Sequence, residues 1–170
     1  MSFILGTFLT AAALAQTQPP AKIALLDTDA FYAEKTGITK ILAAYNQLNT
    51  EFKPLKDELI AMQSKYEALR KEYSTMQSKG SIEKLNAIKE EAEKLESILR
   101  RKQEDSKFRY EKREADLLAP IVNDITRSMD IFFKPKGFTL VLDAKKIQGL
   151  LWSLESTDMT GEFIAFYNAR

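Results

Sequence analysis

Few side chains in this sequence of 170 residues could carry out covalent or acid-base chemistry, because it contains no His and no Cys. Their absence excludes Ser-His-Asp catalysis, Cys-His catalysis and a zinc site built from thiolates. Asp27 and Asp29 stand close together at the end of a predicted strand and are the remaining candidates for acid and base. They are more simply explained as turn and cap residues. The sequence also has no Gly-rich phosphate loop, so we expect no enzyme activity, no metal and no cofactor.

Charge is balanced along the chain, with 25 Lys and Arg against 24 Asp and Glu and a net charge of +1. So small a net charge provides no general attraction for nucleic acid or an anionic membrane, and we expect no nucleic-acid binding. The local exception is the run 100–113, in which basic residues, among them Arg100, Arg101 and Arg109, outnumber acidic ones. This run either attracts acidic partners or lipid phosphates, or is a solvated helix face.

An uncharged apolar run occupies residues 3–14 and leads into the small-x-small triplet Ala13-Leu14-Ala15. This pattern is typical of the apolar core and cleavage site of a secretory signal peptide, and the run is too short to span a bilayer comfortably. It lacks the Lys or Arg that usually precedes such a core. We expect residues 1–15 to be a signal peptide, with a buried or anchoring helix as the alternative.

Apolar residues recur in alternating steps of four and three from Ile41 to Met76. This spacing, with a period of about 3.5 residues, is typical of a coiled-coil seam. The pattern stops at residues 77–81, where Gly80 could end the helix in the left-handed conformation and Ser81 could cap the next helix.

A second apolar series follows, and it places Phe108 and Val122 in the same seam. In an antiparallel hairpin, facing residues have position numbers with a nearly constant sum, and the two series satisfy this condition; Phe52, for example, faces Phe108. The sequence therefore predicts a helical hairpin arm over residues 41–118 with its tip near 77–82.

One level of the predicted arm lacks apolar pairs between its helices. Two leucines of the first helix face a Ser and a Lys of the second, and a proline beside them removes one helical hydrogen bond. The residues at this level are Pro54, Leu55, Leu59, Lys102 and Ser106. Either the arm bends here as a hinge, or it stays straight while Lys102 extends past Leu59 to water.

The seam also contains large, adaptable side chains where a rigid coiled coil prefers Leu, Ile and Val. They are Met62, Tyr66, Tyr73 and Met76. Such side chains suit a surface that meets many partners, so these four residues, with Arg100, Arg101 and Arg109, are candidates for partner binding. The alternative for each seam residue is simple packing between the helices.

Short β-branched, Leu-rich and aromatic runs at the two ends of the chain predict three strands, at residues 22–27, 137–143 and 150–154. A last helix is predicted to start with Thr160 as its cap and to bury Phe163, Ile164 and Phe166. Three strands and a short helix leave sheet edges open, so we expect neighbouring copies to complete one another's sheet.

The predicted fold class is therefore α+β, with a long antiparallel hairpin projecting from a small β-rich body. The body comprises residues 16–40 and 119–170 and oligomerises. The residues expected to build it are Ile23, Leu25, Phe138, Leu140, Leu142, Leu151 and Trp152.

Five segments form a recognisable series in their order and spacing: K-I-A-L-L-D-T-D at 22–29, E-F-K-P-L-K-D-E-L at 51–59, L-L-A-P-I-V-N-D-I at 117–125, K-G-F-T-L-V-L-D at 136–143 and D-M-T-G-E-F-I at 158–164. Together they resemble the Skp/OmpH family of periplasmic chaperones. The resemblance implies a periplasmic homotrimer whose helical arms surround a cavity. It further implies that the protein holds unfolded outer-membrane β-barrel proteins there without ATP.

This sequence departs from the family in its charge. The best-known members are strongly basic and engage acidic clients and lipopolysaccharide with their arms, whereas the net charge here is +1. We therefore expect lipopolysaccharide or membrane-surface contact to be weak. A second interpretation makes the hairpin a non-catalytic spacer or docking arm for one fixed cell-envelope partner, without general protection against aggregation.

Overall fold

Two long helices make up most of the computed structural model, which describes residues 21–78 and 80–170. Helix α1 spans Thr39–Met76 and helix α2 spans Ile82–Phe133. At a rise of about 1.5 Å per residue, the 38 residues of α1 form a rod about 57 Å long. The predicted signal peptide at residues 1–15 lies outside the described residues.

The two helices run antiparallel, since positions that advance along α1 meet positions that recede along α2. Four ion pairs between the helices show this register: Lys40 with Asp124, Glu51 with Arg113, Glu58 with Lys102, and Lys65 with Glu91. Both helices continue through a proline, Pro54 in α1 and Pro120 in α2.

The connection between the helices is partly as predicted. The Ser81 hydroxyl accepts a hydrogen bond from the Lys84 amide at 3.4 Å and caps α2. The left-handed conformation expected at Gly80 stays a prediction. The small size of this glycine matters here, since a Cβ at Gly80 would lie 3.0 Å from the Met76 carbonyl oxygen.

The sheet has two parallel strands, β1 at Ile23–Leu26 and β2 at Leu140–Asp143. A third strand was predicted at residues 150–154, but that segment is exposed and forms no strand in this single chain. The edge of β1 opposite to β2 is partly occupied, because Leu25 forms an isolated β-bridge with Asp158 there. Strand propensity alone does not make a strand when no partner edge is available.

Helix α3 spans Thr160–Asn168 and packs against the sheet and the base of α2. Thr160 is not its cap: the Asp158 carboxylate accepts a hydrogen bond from the Thr160 amide at 2.9 Å. The Thr160 hydroxyl instead accepts one from the Asp27 amide at 2.8 Å and so ties the helix to the end of β1. Phe163 and Ile164 are buried as predicted, whereas Phe166 is only partly buried.

The hydrophobic core lies where α3 covers β1, β2 and the base of the arm. Its centre is a group of rings whose neighbouring centroids are 4.9 to 6.3 Å apart: Phe31, Phe132, Phe133, Phe163 and Tyr167. Aromatic pairs at these separations add to the stabilisation from burial. The α+β class is confirmed, with mostly helical structure and one small sheet.

Candidate binding surface of the arm

The middle of the arm has no fully buried side chain on either helix. No residue of α1 is buried between Leu48 and Leu69, and none of α2 is buried between Leu99 and Ile125. The two stretches face each other over about residues 49–61 of α1 and 100–114 of α2, and we call this level the mid-arm section. Its side chains contact one another across the helices without forming a closed core.

Two apolar residues of helix α2 in and beside this section point away from α1. Phe108 and Val122, which the sequence pattern places in the seam, are 67% and 49% exposed, so the prediction is wrong for these two residues. Among the partly or fully buried positions, one stripe recurs in steps of three, four and four: Leu99, Lys102, Ser106, Tyr110, Arg113, Leu117 and Ile121. Eleven residues in three turns give about 3.67 residues per turn, so this stripe drifts away from a 3.5-residue repeat.

Polar and aromatic contacts therefore join the helices at this level. The rings of Phe52 and Tyr110 meet edge to face with centroids 5.2 Å apart. The Arg113 guanidinium donates two hydrogen bonds of 2.8 Å to the Glu51 carboxylate. Sequence reasoning missed Tyr110, although its position eleven residues after Leu99 is the signal that could have identified it.

Electrostatics at this level centre on one carboxylate. Arg113 and Gln47 both donate hydrogen bonds to Glu51 and lower its pKa to about 2. The same contact raises the pKa of the Arg113 guanidinium. Both side chains are more than a third exposed, so the pair contributes little to stability despite its bidentate geometry.

Two open grooves flank the mid-arm section, one on each side of the Phe52 ring. The first groove has a volume of about 550 Å³ and an apolar floor of Phe52, Pro54 and Leu55. The second groove has a volume of about 620 Å³ and an apolar floor of Phe52, Leu59 and Tyr110. The small Ser106 lines the second groove, where a Leu or Ile would fill more of the space.

The candidate hinge residues all lie at this level. Leu55 lines the first groove, and Leu59 and Ser106 line the second. The Lys102 ammonium pairs with Glu58 of α1, so it lies across the seam. A hinge at Pro54 stays a prediction, since α1 is continuous there.

The predicted partner-binding residues do not form one surface. Their four seam members, Met62, Tyr66, Tyr73 and Met76, are partly buried between the helices. Arg100, Arg101 and Arg109 are exposed on α2, and Arg109 lies 3.8 Å from Asp105 of its own helix. Their role in binding stays a prediction.

The predicted oligomerisation residues lie mainly on the side of the sheet that faces away from the core. Ile23 and Leu140 are 40% and 46% exposed, and Leu142 is partly buried, while Leu25 is covered near Asp158. Phe138 packs its ring on Phe133. Leu151 and Trp152 are 97% and 76% exposed. The body thus presents large apolar side chains that residues 21–78 and 80–170 do not cover.

A second polar contact that the sequence did not reveal fixes the root of the arm. The Tyr167 hydroxyl donates a 2.8 Å hydrogen bond to Asp124, which also accepts one from the Lys40 ammonium at 3.1 Å. Burial and this carboxylate raise the pKa of Tyr167 to about 12, and the two donors lower the pKa of Asp124. One carboxylate thereby links α1, α2 and α3.

Residues 21–78 and 80–170 include no cluster of acidic side chains arranged to hold a metal ion. No helix in this described part is both long and apolar enough to cross a membrane.

Comparisons with known proteins agree with this architecture. The family described as outer membrane protein (OmpH-like) matches residues 22–167. A solved structure from Caulobacter crescentus CB15, assigned as an OmpH-like outer membrane chaperone, aligns with a TM-score of 0.57 and 14% sequence identity. The alignment covers 99% of this chain and 91% of that chain, and at this identity it shows a shared fold. No curated protein sequence matches this chain.

Proposed function

This chain belongs to the OmpH-like outer membrane protein family, and we propose that it is an ATP-independent holdase chaperone of the periplasm. It binds unfolded outer-membrane β-barrel proteins between helical arms and prevents their aggregation before membrane insertion. The observation that carries this proposal is the arm, because the mid-arm section of α1 and α2 extends away from the core and has grooves on both sides.

Binding without ATP is consistent with such an arm. An unfolded barrel protein exposes apolar strands of varied sequence, so a general binder needs many weak contacts and enclosure more than one specific pocket. Partly exposed aromatic and Met side chains provide adaptable contacts. Release then follows when the client reaches a more stable fold in the membrane.

We further propose that the protein is a homotrimer whose bodies cover one another's exposed apolar side chains. A two-stranded sheet is marginally stable alone, and an unpaired edge tends to recruit another strand. The segment 150–154, with the exposed Leu151 and Trp152, is available to pair with the sheet of a neighbour. Three arms from one joined body would surround a common cavity.

The test is native mass spectrometry of the chain that follows the predicted cleavage, residues 16–170. A urea-unfolded outer-membrane barrel protein is diluted into it, and light scattering follows aggregation in parallel. We expect a trimer that carries one client, and suppressed scattering. Trimers without client beside an aggregated barrel protein would contradict the holdase function and support the fixed-partner spacer.

Two variants of the body and one control variant test the trimer. Leu151→Lys and Trp152→Lys change side chains that make no core contact in one chain, so each chain should fold but remain monomeric. Ile82→Lys, equally exposed but at the tip of the arm, is the control and should leave the trimer intact. Monomers from the tip variant, or trimers from both body variants, would contradict the proposed interface.

A further inference from the structure

The second groove of the mid-arm section differs from the first in both floor and charge. Its floor combines the ring of Phe52, the ring of Tyr110 and the side chain of Leu59, and the small side chain of Ser106 also lines it. The groove is therefore an apolar recess over two touching rings and a leucine, and neither helix fills it. An aromatic ring that entered it could pack edge to face, as Phe52 and Tyr110 already do.

The rim of the second groove has one positive charge in excess. Three lysines and two glutamates line it. Lys53 pairs with Asp57 of its own helix at 2.6 Å, and Lys107 lies 3.8 Å from Glu111. Among the described residues, Lys56 is within ion-pair distance of no acidic side chain, so its ammonium is free to meet an anionic group.

The acidic members of this rim already have partners. Glu114 accepts a 2.7 Å hydrogen bond from the Tyr45 hydroxyl, and this bond and burial raise the pKa of Tyr45. Glu111 is next to Lys107. An incoming carboxylate therefore meets an uncompensated lysine beside glutamates that are partly screened.

The first groove lacks this asymmetry. Its rim has equal numbers of basic and acidic residues. Glu51 is held by Arg113, and Glu58 pairs with Lys102 across the seam. Nothing on this side favours one sign of charge.

We infer that the second groove is a client subsite for an aromatic side chain next to an acidic residue in an unfolded chain. The ring packs on Phe52, Leu59 and Tyr110, and the neighbouring carboxylate pairs with Lys56. This inference rests on the proposed holdase function and names the client segment that the arm selects. Because each arm has one such groove, several weak contacts of this kind would act together.

The experiment measures binding of a short fluorescein-labelled unfolded peptide in which one Trp is flanked by Asp, using fluorescence anisotropy and the full chain. Ser106→Leu fills the groove against Leu59, and Ser106→Ala leaves it open. We expect Ser106→Leu to weaken binding about tenfold, the loss of one well-packed aromatic contact, and Ser106→Ala to bind like the unchanged protein. Circular dichroism and native mass verify that both variants retain helix and assembly.

A second pair of variants tests the charge. Lys56→Glu should weaken binding of the Asp-flanked peptide about threefold and should not weaken a Lys-flanked peptide of the same length. Lys71→Glu makes the same change elsewhere on α1 at an exposed residue and should change neither affinity. Equal effects of the two reversals, or equal binding by Ser106→Leu and Ser106→Ala, would overturn the subsite.

Failure of the subsite and failure of the holdase function give different results. If the unchanged protein and Ser106→Leu bind the peptide equally and both suppress aggregation of a barrel protein, the holdase stands and the subsite is wrong. If the peptide binds as expected but the barrel protein aggregates, the subsite stands and the general holdase is wrong. Displacement of the peptide by vesicles of anionic phospholipid would assign the groove to lipid and overturn the proposal.

Discussion

The core of the body and the mid-arm section are held together by different kinds of interaction. In the body, the Phe163 ring is fully buried against its aromatic neighbours, and the hydroxyl of Tyr167 is bonded to Asp124. In the mid-arm section, the contacts across the helices are partly exposed, as in the pair of Glu51 and Arg113. Stability is therefore concentrated at one end of a molecule whose proposed binding surface lies in the arm.

The difference has a direct consequence for where the chain can adapt. A close-packed core resists small changes in side-chain volume and keeps one geometry. Exposed ion pairs contribute about 0 to 1 kcal/mol each and reform easily when their helices shift. A long arm that is loosely joined in its middle can therefore alter its grooves at a low cost in free energy while the body stays fixed.

Phe163→Ala should show the largest effect, because it removes a fully buried ring from the body core. We expect the free energy of unfolding to fall by about 3 to 5 kcal/mol, measured by urea unfolding with circular dichroism. Phe108→Ala, which removes a 67% exposed ring from the mid-arm section, is the control and should change it by at most about 0.5 kcal/mol. Similar losses of unfolding free energy for the two variants would contradict the proposed difference in packing between body and arm.

Tyr167→Phe should have the next largest effect. It keeps the buried ring but removes the hydrogen bond to Asp124, which links the three helices at the root of the arm. The free energy of unfolding should fall by about 1 to 2 kcal/mol, since the acceptor is charged but keeps Lys40 as a partner. Tyr32→Phe, at a 47% exposed position, is the control and should be nearly neutral. A neutral Tyr167→Phe would show that the root is held by apolar packing alone.

Sequence periodicity predicted α1 well and α2 only in part. Every seam position proposed for α1 from Ile41 to Met76 is at least partly buried. In α2 the apolar residues Leu118, Ile125 and Phe132 are at least partly buried. Phe108 and Val122, which the pattern places in the seam, are exposed instead. Counting apolar residues along the sequence cannot identify every seam position of α2. Lys102, for example, lies in the seam although it is charged, because a long amphipathic side chain can pack its stem there.

In the body, local propensity predicted those elements that do not depend on a partner strand from elsewhere. The strands near Ile23 and Leu140 and the helix around Phe163 formed where they were expected. The segment 150–154 did not form a strand, since its partner edge is not a local property of the sequence. The sequence also predicts part of the grooves. It shows that Leu55 and Leu59 have Ser106 and Lys102 as their partners across the seam, but it does not reveal the ring of Tyr110 in the floor of the second groove.

Hydrogen exchange provides the third test, and its expected effect is smaller. If the mid-arm section is the weak part of the arm, amides of residues 52–60 exchange faster than those of residues 66–73, where Leu69 is buried. Ser106→Leu adds an apolar side chain to the groove that Phe52 and Leu59 line. It should slow exchange at 52–60, with a gain in stability below about 1 kcal/mol. Ser64→Leu, at an exposed site of α1, is the control and should not slow it. Equal exchange in the two segments of the unchanged protein would contradict both the hinge and the comparison.

Acidification should give the smallest effect, because the carboxylate involved is exposed. The folded pKa of Glu51 is about 2, below its ordinary value of 4.5, since Arg113 and Gln47 bind the charged form. Its contribution to stability is therefore fully present above pH 4.5 and is lost as the pH falls towards 2. The difference in urea-unfolding free energy between the unchanged protein and Glu51→Gln, which cannot titrate here, should shrink over that interval. A difference that stays constant over that interval would show that this ion pair does not join the helices in solution. The mid-arm section would then be looser still than its contacts indicate.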